Sequence, residues 1–189
     1  MTAASLVEEV IDAHGGADRW QTVSELSIDV SAGGLAVASK FQRRGLRDLV
    51  ARVSTDSQRV VLAPYPSRGH RGVFDRGAVR IEADNGSLVR QRLDPRAELG
   101  SPRRLLWWDH LDLLYFGPDG LIRRHDYTAE EFGTWARSAH YCDAHRDFNG
   151  LVMPTRRRVF LRRADNRSRR HPVLIWIVVR DVSISGQRD

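Results

Sequence analysis

Apolar positions near the start of the chain recur at helical spacing and then switch to strict alternation. Leu6, Val7, Val10 and Ile11 share one stripe of a helix, while Glu8, Glu9 and Asp12 point away from it. Ser5-Leu6-Val7-Glu8 has the form of a capping box and Gly15-Gly16 supplies a stop, so the pattern predicts a helix over 5–14. Trp20 follows in a second short turn, with Asp18 as its candidate N-cap, and is placed to plug one end of the core. From Leu26 the period becomes 2. Leu26, Ile28 and Val30 alternate with Ser27, Asp29 and Ser31, Gly33-Gly34 turns the chain, and Leu35, Val37, Ser39 and Phe41 continue the alternation as the second strand of a hairpin.

The same reading predicts strands at 48–54, 59–63, 73–74, 79–83 and 88–93, with Asp84-Asn85-Gly86-Ser87 as a tight turn and Pro64 and Pro66 ending a strand. Residues 94–116 break the series. Pro95, Gly100 and Pro102 mark a loop, and the aromatic run that follows puts Trp108, Leu111 and Tyr115 on one helical face, so this segment is expected to be a non-strand cover, a short helix or irregular stretch, with a buried strand as the alternative for the aromatic run. Three consecutive antiparallel strands then fill 116–161. Gly117-Pro118-Asp119-Gly120 opens this meander, and Asn149-Gly150 is its strongest hairpin signal. A basic loop over 162–171 leads to a last, largely buried strand at 173–182. The expected fold is mainly β: one domain over 1–189, with a curved antiparallel sheet, an unclosed barrel with strands from about 25 to 184, packed on a short N-terminal helix.

Composition narrows the function classes. At 189 residues, 41% hydrophobic and 29% charged, the chain is that of a soluble globular domain with one sizeable core. It contains no apolar run near the roughly 20 residues of a membrane-spanning helix. The first residues lack the pattern of a signal peptide, so the expected compartment is the cytoplasm. One cysteine, Cys142, excludes an internal disulfide and a Cys-based zinc site within one chain. The net charge of +6 is carried by arginine, Lys40 being the only lysine. Such a charge speaks to solubility rather than specificity, and with no accompanying motif nucleic acid is not expected as a partner.

Candidate chemistry concentrates in the meander. Alternation groups Leu121, Arg123, His125 and Tyr127 on one face of the first strand, and Tyr141, Asp143, His145 and Asp147 on one face of the second. A register placing His125 opposite His145 would assemble His125, Tyr141, Asp143 and His145 as an acid/base or metal cluster, and an enzyme built on it is one alternative function. An ordinary cross-strand network of His, Asp and Arg is preferred over catalysis. His140 and Cys142 lie two apart on the opposite face, with no local feature to activate the thiol. Neither a resident cofactor nor a metal is expected. The arginines of 156–170 offer a further alternative, a basic module for acidic partners; a solvated, aggregation-resistant edge is the simpler reading.

Several motifs together resemble an uncharacterised bacterial family. They are Ala13-His14-Gly15-Gly16 with Trp20, Gly72-Val73-Phe74 leading to Val79-Arg80-Ile81-Glu82, Asp94-Pro95-Arg96-Ala97, Trp108-Asp109 through Leu113-Leu114-Tyr115-Phe116, Asp119-Gly120-Leu121 through His125-Asp126-Tyr127, and Asn149-Gly150 to Pro154-Thr155-Arg156-Arg157. That family is similar in layout to the LolA/LolB-like lipoprotein carriers, in which an unclosed barrel wraps around helices and encloses an apolar cavity for acyl chains. The chain departs from the pattern in lacking an export signal and in the direct junction of Phe116 with Gly117. The resemblance implies non-catalytic binding of a lipophilic or acyl-chain small molecule in the sheet's concavity. Expected lining residues are Leu35, Val37, Phe41, Phe74, Trp107, Trp108, Leu111, Tyr115 and Trp176, with Arg123 and His125 at a polar mouth.

Overall fold

The computed structural model describes residues 2–41, 46–95 and 109–188. Its first element, α1 (Ala3–Ala13), begins one turn earlier than the capping-box reading. Thr2, not Ser5, is the N-cap: its hydroxyl accepts from the Ser5 amide at 3.2 Å, and the Ser5 hydroxyl donates back to the Thr2 carbonyl at 2.8 Å. Gly15 has φ +117°, and a Cβ there would fall on the Gly150 carbonyl, so glycine is required where the helix end meets the Asn149-Gly150 turn. A second helix, α2 (Ala17–Gln21), starts at Gly16 without a side-chain cap, leaving Asp18 inside its first turn. Trp20 packs on a core of Val23, Leu26, Phe148, Leu151, Val179 and Val182, and its indole N–H donates to the His14 carbonyl at 3.1 Å. Among the described residues, no helix is long and apolar enough to cross a membrane.

Among the described residues, eleven antiparallel strands follow: β1 (Val23–Gly33), β2 (Leu49–Ser54), β3 (Arg59–Ala63), β4 (His70–Asp75), β5 (Ala78–Ala83), β6 (Leu88–Arg92), β7 (Asp109–Phe116), β8 (Ile122–Ala129), β9 (Arg137–Phe148), β10 (Leu151–Leu161) and β11 (Ile175–Gln187). They form a single sheet in the order β6-β5-β4-β3-β2-β1-β11-β10-β9-β8-β7. Two meanders are thus joined through the β1–β11 pair, and the sheet curls without closing, as open sheets of this width do. Buried positions concentrate in β1 and β8–β11; β3, β5 and β6 contain none.

Two predicted elements change type. The second strand of the early hairpin is instead a short helix, α3 (Leu35–Ser39). Gly34, at φ +130°, turns the backbone so closely onto the Leu174 carbonyl that a Cβ would collide with it. The Ala36 amide then donates to that carbonyl at 3.0 Å, fixing α3 over the sheet rather than within it. The expected cover over 94–116 is also revised: Asp109–Phe116 is β7, paired with β8, and residues 96–108 lie outside the described set. Leu113 and Leu114 sit on adjacent positions of this strand, so its apolar run serves both faces, a pattern that length alone does not separate from a helix.

Candidate ligand site

Three neighbouring strands present their side chains in rows on the face beneath α3. Along β8 the row-forming residues are Tyr127 and His125, along β9 Ser138, His140 and Cys142, and along β10 Leu161, Val159 and Arg157. Pairing sets Tyr127 beside Ser138 and Leu161, then His125 beside His140 and Val159, then Cys142 beside Arg157. The face therefore grades from apolar to cationic over about two strand steps of roughly 7 Å each.

At the apolar end lies a cavity of about 210 Å³. Leu35, Ala36 and Ser39 of α3 form its roof, and Tyr127, Ala129, Ser138, Val159, Leu161 and Ile175 its floor. Phe132, Trp135, Ala136 and Leu174 complete the wall. The floor is part of a buried cluster of Tyr127, Ala129, Ala136, Val159 and Ile175. Trp135 (67% exposed) and Leu35 (55%) stand at the rim, so the cavity opens to solvent between them. The only lysine holds the roof in place: Lys40, itself buried, donates from Nζ to the Glu131 carbonyl at 3.0 Å and lies over the Phe132 ring at 5.1 Å. Glu131 and Phe132 belong to a 3-10 turn, Glu130–Phe132, which links β8 to β9.

At the cationic end, the His125 and His140 rings lie 4.1 Å apart between centroids. His140 is only 6% exposed, and its Nε2 has no hydrogen-bond partner among the described residues. Burial, with repulsion from His125 and Arg157, pushes His140 from the ordinary 6.5 down to about 3, so the imidazole is neutral at physiological pH. Burial first and Arg157 second lower His125 in the same way, against a smaller pull from Asp126. Burial pushes the Cys142 thiol up, Arg157 drawing it partly back. His125, His140 and Cys142 offer ligand atoms within 4.8 Å of one another. Two imidazoles and a thiolate are a donor set for a soft or borderline metal ion, although a closed site would hold its donors roughly 3.3–3.8 Å apart and the thiol would have to ionise. Arg157 contributes a positive charge to the same row.

The register that would bring His125 to His145 is not the one adopted; His125 pairs with His140. The β8–β9 connection explains this. The Ala129 amide donates to the Ala136 carbonyl at 3.1 Å, centring the hairpin near Gly133, whereas pairing 125 with 145 would centre it at Trp135, which has no turn chemistry. Gly133, at φ +104°, was the available signal.

The acid/base cluster consequently does not assemble. The Tyr141 hydroxyl meets Ser168 Oγ at 2.9 Å on the opposite face, Asp143 pairs with Arg156, and His145 Nδ1 lies 3.3 Å from Arg123 Nη1. Ala144, at φ +54°, interrupts the alternation between Asp143 and His145. Arg123 also pairs with Asp119, so it is not at the cavity mouth; His125 lies next to Tyr127 at the cavity's inner edge, 5.5 Å between centroids.

The expected lining residues are dispersed. Leu35 lines the cavity, Val37 is fully buried in α3 without reaching it, and Phe41 is 75% exposed. Phe74 lies on β4 in the other half of the sheet. The Tyr115 hydroxyl turns to Asp126 at 3.3 Å, and Trp176 stacks on the Arg47 guanidinium at 4.3 Å. Leu111 is described as a backbone position of β7 opposite Tyr127, and Trp107 and Trp108 lie outside the described residues. Sequence reasoning missed every lining residue but Leu35; the small ones among them, Ala36, Ser39, Ala129, Ala136 and Ser138, have no spacing that separates a cavity wall from ordinary core.

Of the 156–170 arginines, Arg163, Arg167, Arg169 and Arg170 are exposed on the loop after β10, and the others divide between the two faces of the sheet. Arg157 faces the histidines, Arg156 is exposed beside Asp143, and Arg162 is buried against Asp126 at 3.4 Å.

No family model matches the chain, and no curated protein matches it by sequence. Among solved structures, the chain is similar to a LolA-superfamily protein from Nitrosomonas europaea, at 11% identity and TM-score 0.48, over 98% of this chain and 94% of that one. It is similar also to a DUF1329-family protein from Desulfovibrio piger, at 11% identity and TM-score 0.46, over 96% and 92% of the two chains. A third likeness is to an uncharacterised conserved protein from Thermus thermophilus, at 14% identity and TM-score 0.37, over 98% and 88%.

Proposed function

We propose that this protein binds a small lipophilic molecule in the cavity between α3 and the β8–β11 sheet. The observation that supports the reading is the cavity itself: about 210 Å³, walled by apolar side chains and held open by a roof fixed through Gly34 and Lys40. An apolar ligand seated there removes its own surface and that of the walls from water and packs against them. Its volume exceeds the roughly 150 Å³ that takes a benzene ring but falls below the roughly 300 Å³ at which drug-sized sites begin. It therefore suits one short hydrocarbon chain or one ring rather than a lipid with several acyl chains.

Calorimetric titration with octanol tests this. Octanol is expected to bind the wild-type protein, and Ala136→Phe, which fills the cavity, is expected to abolish that binding while the far-ultraviolet spectrum stays native. Overpacking costs the variant about 1–3 kcal/mol of stability. Unchanged octanol binding by a folded Ala136→Phe protein would place the ligand elsewhere.

A further inference from the structure

The row next to the cavity has an unmet requirement that an apolar ligand does not answer. Arg157 is half-buried and its Nε is fully shielded from solvent, yet among the described residues it has neither a carboxylate partner nor a hydrogen-bond acceptor at that nitrogen. Its neighbours along β10 differ. Arg156 pairs with Asp143, and Arg158 is exposed to water. Across the ladder, His140 is more than nine-tenths buried and its Nε2 is likewise without a partner. Buried polar groups are nearly always satisfied, and a cation removed from water calls for a counter-charge.

We propose that Arg157 and His140, with His125 beside them, are the head-group subsite for a monocarboxylate whose hydrocarbon tail occupies the cavity. This rests on the cavity being a ligand site, and it names the ligand class. A carboxylate accepting from Arg157 Nε–H and from His140 Nε2–H satisfies both orphaned nitrogens, and the guanidinium fork suits a planar two-oxygen acceptor. A metal ion on His125, His140 and Cys142 would satisfy only the histidine and would set a cation beside an unpaired guanidinium. One guanidinium with two neutral imidazoles matches a single negative charge. The placement is continuous: His140 pairs with Val159, a cavity wall residue, and its ring lies 6.1 Å from that of Tyr127, another. A head group here is about one strand step of roughly 7 Å from the cavity, so a medium-length chain bridges the two.

The test compares octanoate, octanol and acetate by calorimetry at about pH 7.5, where a carboxylic acid is ionised. Octanoate is the more water-soluble of the two long ligands, so preference for it requires a protein cation. The wild-type protein is expected to bind octanoate roughly 10- to 100-fold tighter than octanol, the worth of charge-assisted hydrogen bonds, and acetate not measurably. Arg157→Met is expected to erase that preference, octanoate binding no tighter than octanol, and Arg157→Lys, which keeps the charge without the fork, to fall between. Octanol bound as well as octanoate would overturn the head-group subsite and leave the cavity reading standing. Neither ligand bound would overturn both. Stoichiometric Zn²⁺ or Cu⁺ binding lost in Cys142→Ser, with no octanoate preference, would reassign the row to a metal.

Discussion

The two faces of β8–β10 treat buried charge in opposite ways. On the face away from α3, Asp126 is completely buried, and Arg124 grips it with both prongs, Nε at 2.6 Å and Nη2 at 2.7 Å. Arg162 lies at 3.4 Å from the same carboxylate and the Tyr115 hydroxyl at 3.3 Å. The loop after β10 closes over the network, the Asn166 carbonyl accepting from Arg124 at 2.7 Å and Ser168 meeting Tyr141. On the α3 face, one or two residues away along the same strands, Arg157 and His140 carry orphaned nitrogens. In the first arrangement the buried carboxylate is held by guanidinium groups of the fold itself. In the second a guanidinium has no carboxylate among the described residues, and this difference in counter-charge separates the two faces better than the number of ionisable residues on either.

The largest effect belongs to the completed face. Asp126→Ala removes the buried carboxylate shared by Arg124 and Arg162, whose side chains are both under 15% exposed. Breaking one partner of a buried pair costs about 3–5 kcal/mol, a large share of a typical domain's stability. The urea midpoint should fall accordingly with an unchanged slope. A loss below about 1 kcal/mol would mean that water reaches this network and that the two faces are electrostatically alike.

The next effect belongs to the α3 face and depends on pH. In the folded protein His140 resists protonation down to about 3, whereas in the unfolded chain it takes a proton near 6.5. Between those values the unfolded state binds more protons, so stability falls as pH is lowered through the window. From about pH 8 to about pH 5 the ligand-free protein should lose about 2 kcal/mol through this histidine. His125, lowered by the same burial and the same arginine, adds in the same direction. His140→Asn should flatten most of that slope, and a slope that survives the substitution would move its origin to other groups.

Much of the sheet was legible because turns and alternation report it locally. Asn149-Gly150 and Asp84-Asn85-Gly86-Ser87 fall where the structure turns, and β2, β3, β5 and the long meander lie close to their expected bounds. The failures have two causes, one distant in sequence and one local. Leu35–Ser39 alternates like a strand, but its place over the sheet is set by Leu174, far along the chain. The candidate site was misread for the local reason. Each histidine's face on its own strand was correct for His125 and His140, but which two face each other depends on where a seven-residue connection is centred, a matter of one turn glycine. Aromatics elsewhere in the chain drew attention as lining residues, whereas the cavity is lined by Tyr127, Phe132 and Trp135 together with small residues such as Ala129, Ala136 and Ser138.

The smallest effect is the most direct comparison of the two faces. Arg157→Met removes a charge that has no partner in the ligand-free protein and keeps an unbranched, apolar side chain of similar reach. Where a cation is uncompensated, its removal eliminates a desolvation penalty and breaks no pair, so the variant should be as stable as the wild type or more stable, within about 1 kcal/mol. The sign is opposite to that of Asp126→Ala, although both substitutions remove one charge from the same three strands. Added octanoate should then reverse the order, stabilising the wild type and not the variant, because only the protein that binds a ligand in its native state gains from it. Equal destabilisation by the two substitutions, with no separation on adding octanoate, would show that Arg157 already has its counter-charge within the fold, and the distinction between a finished face and an unfinished one would collapse.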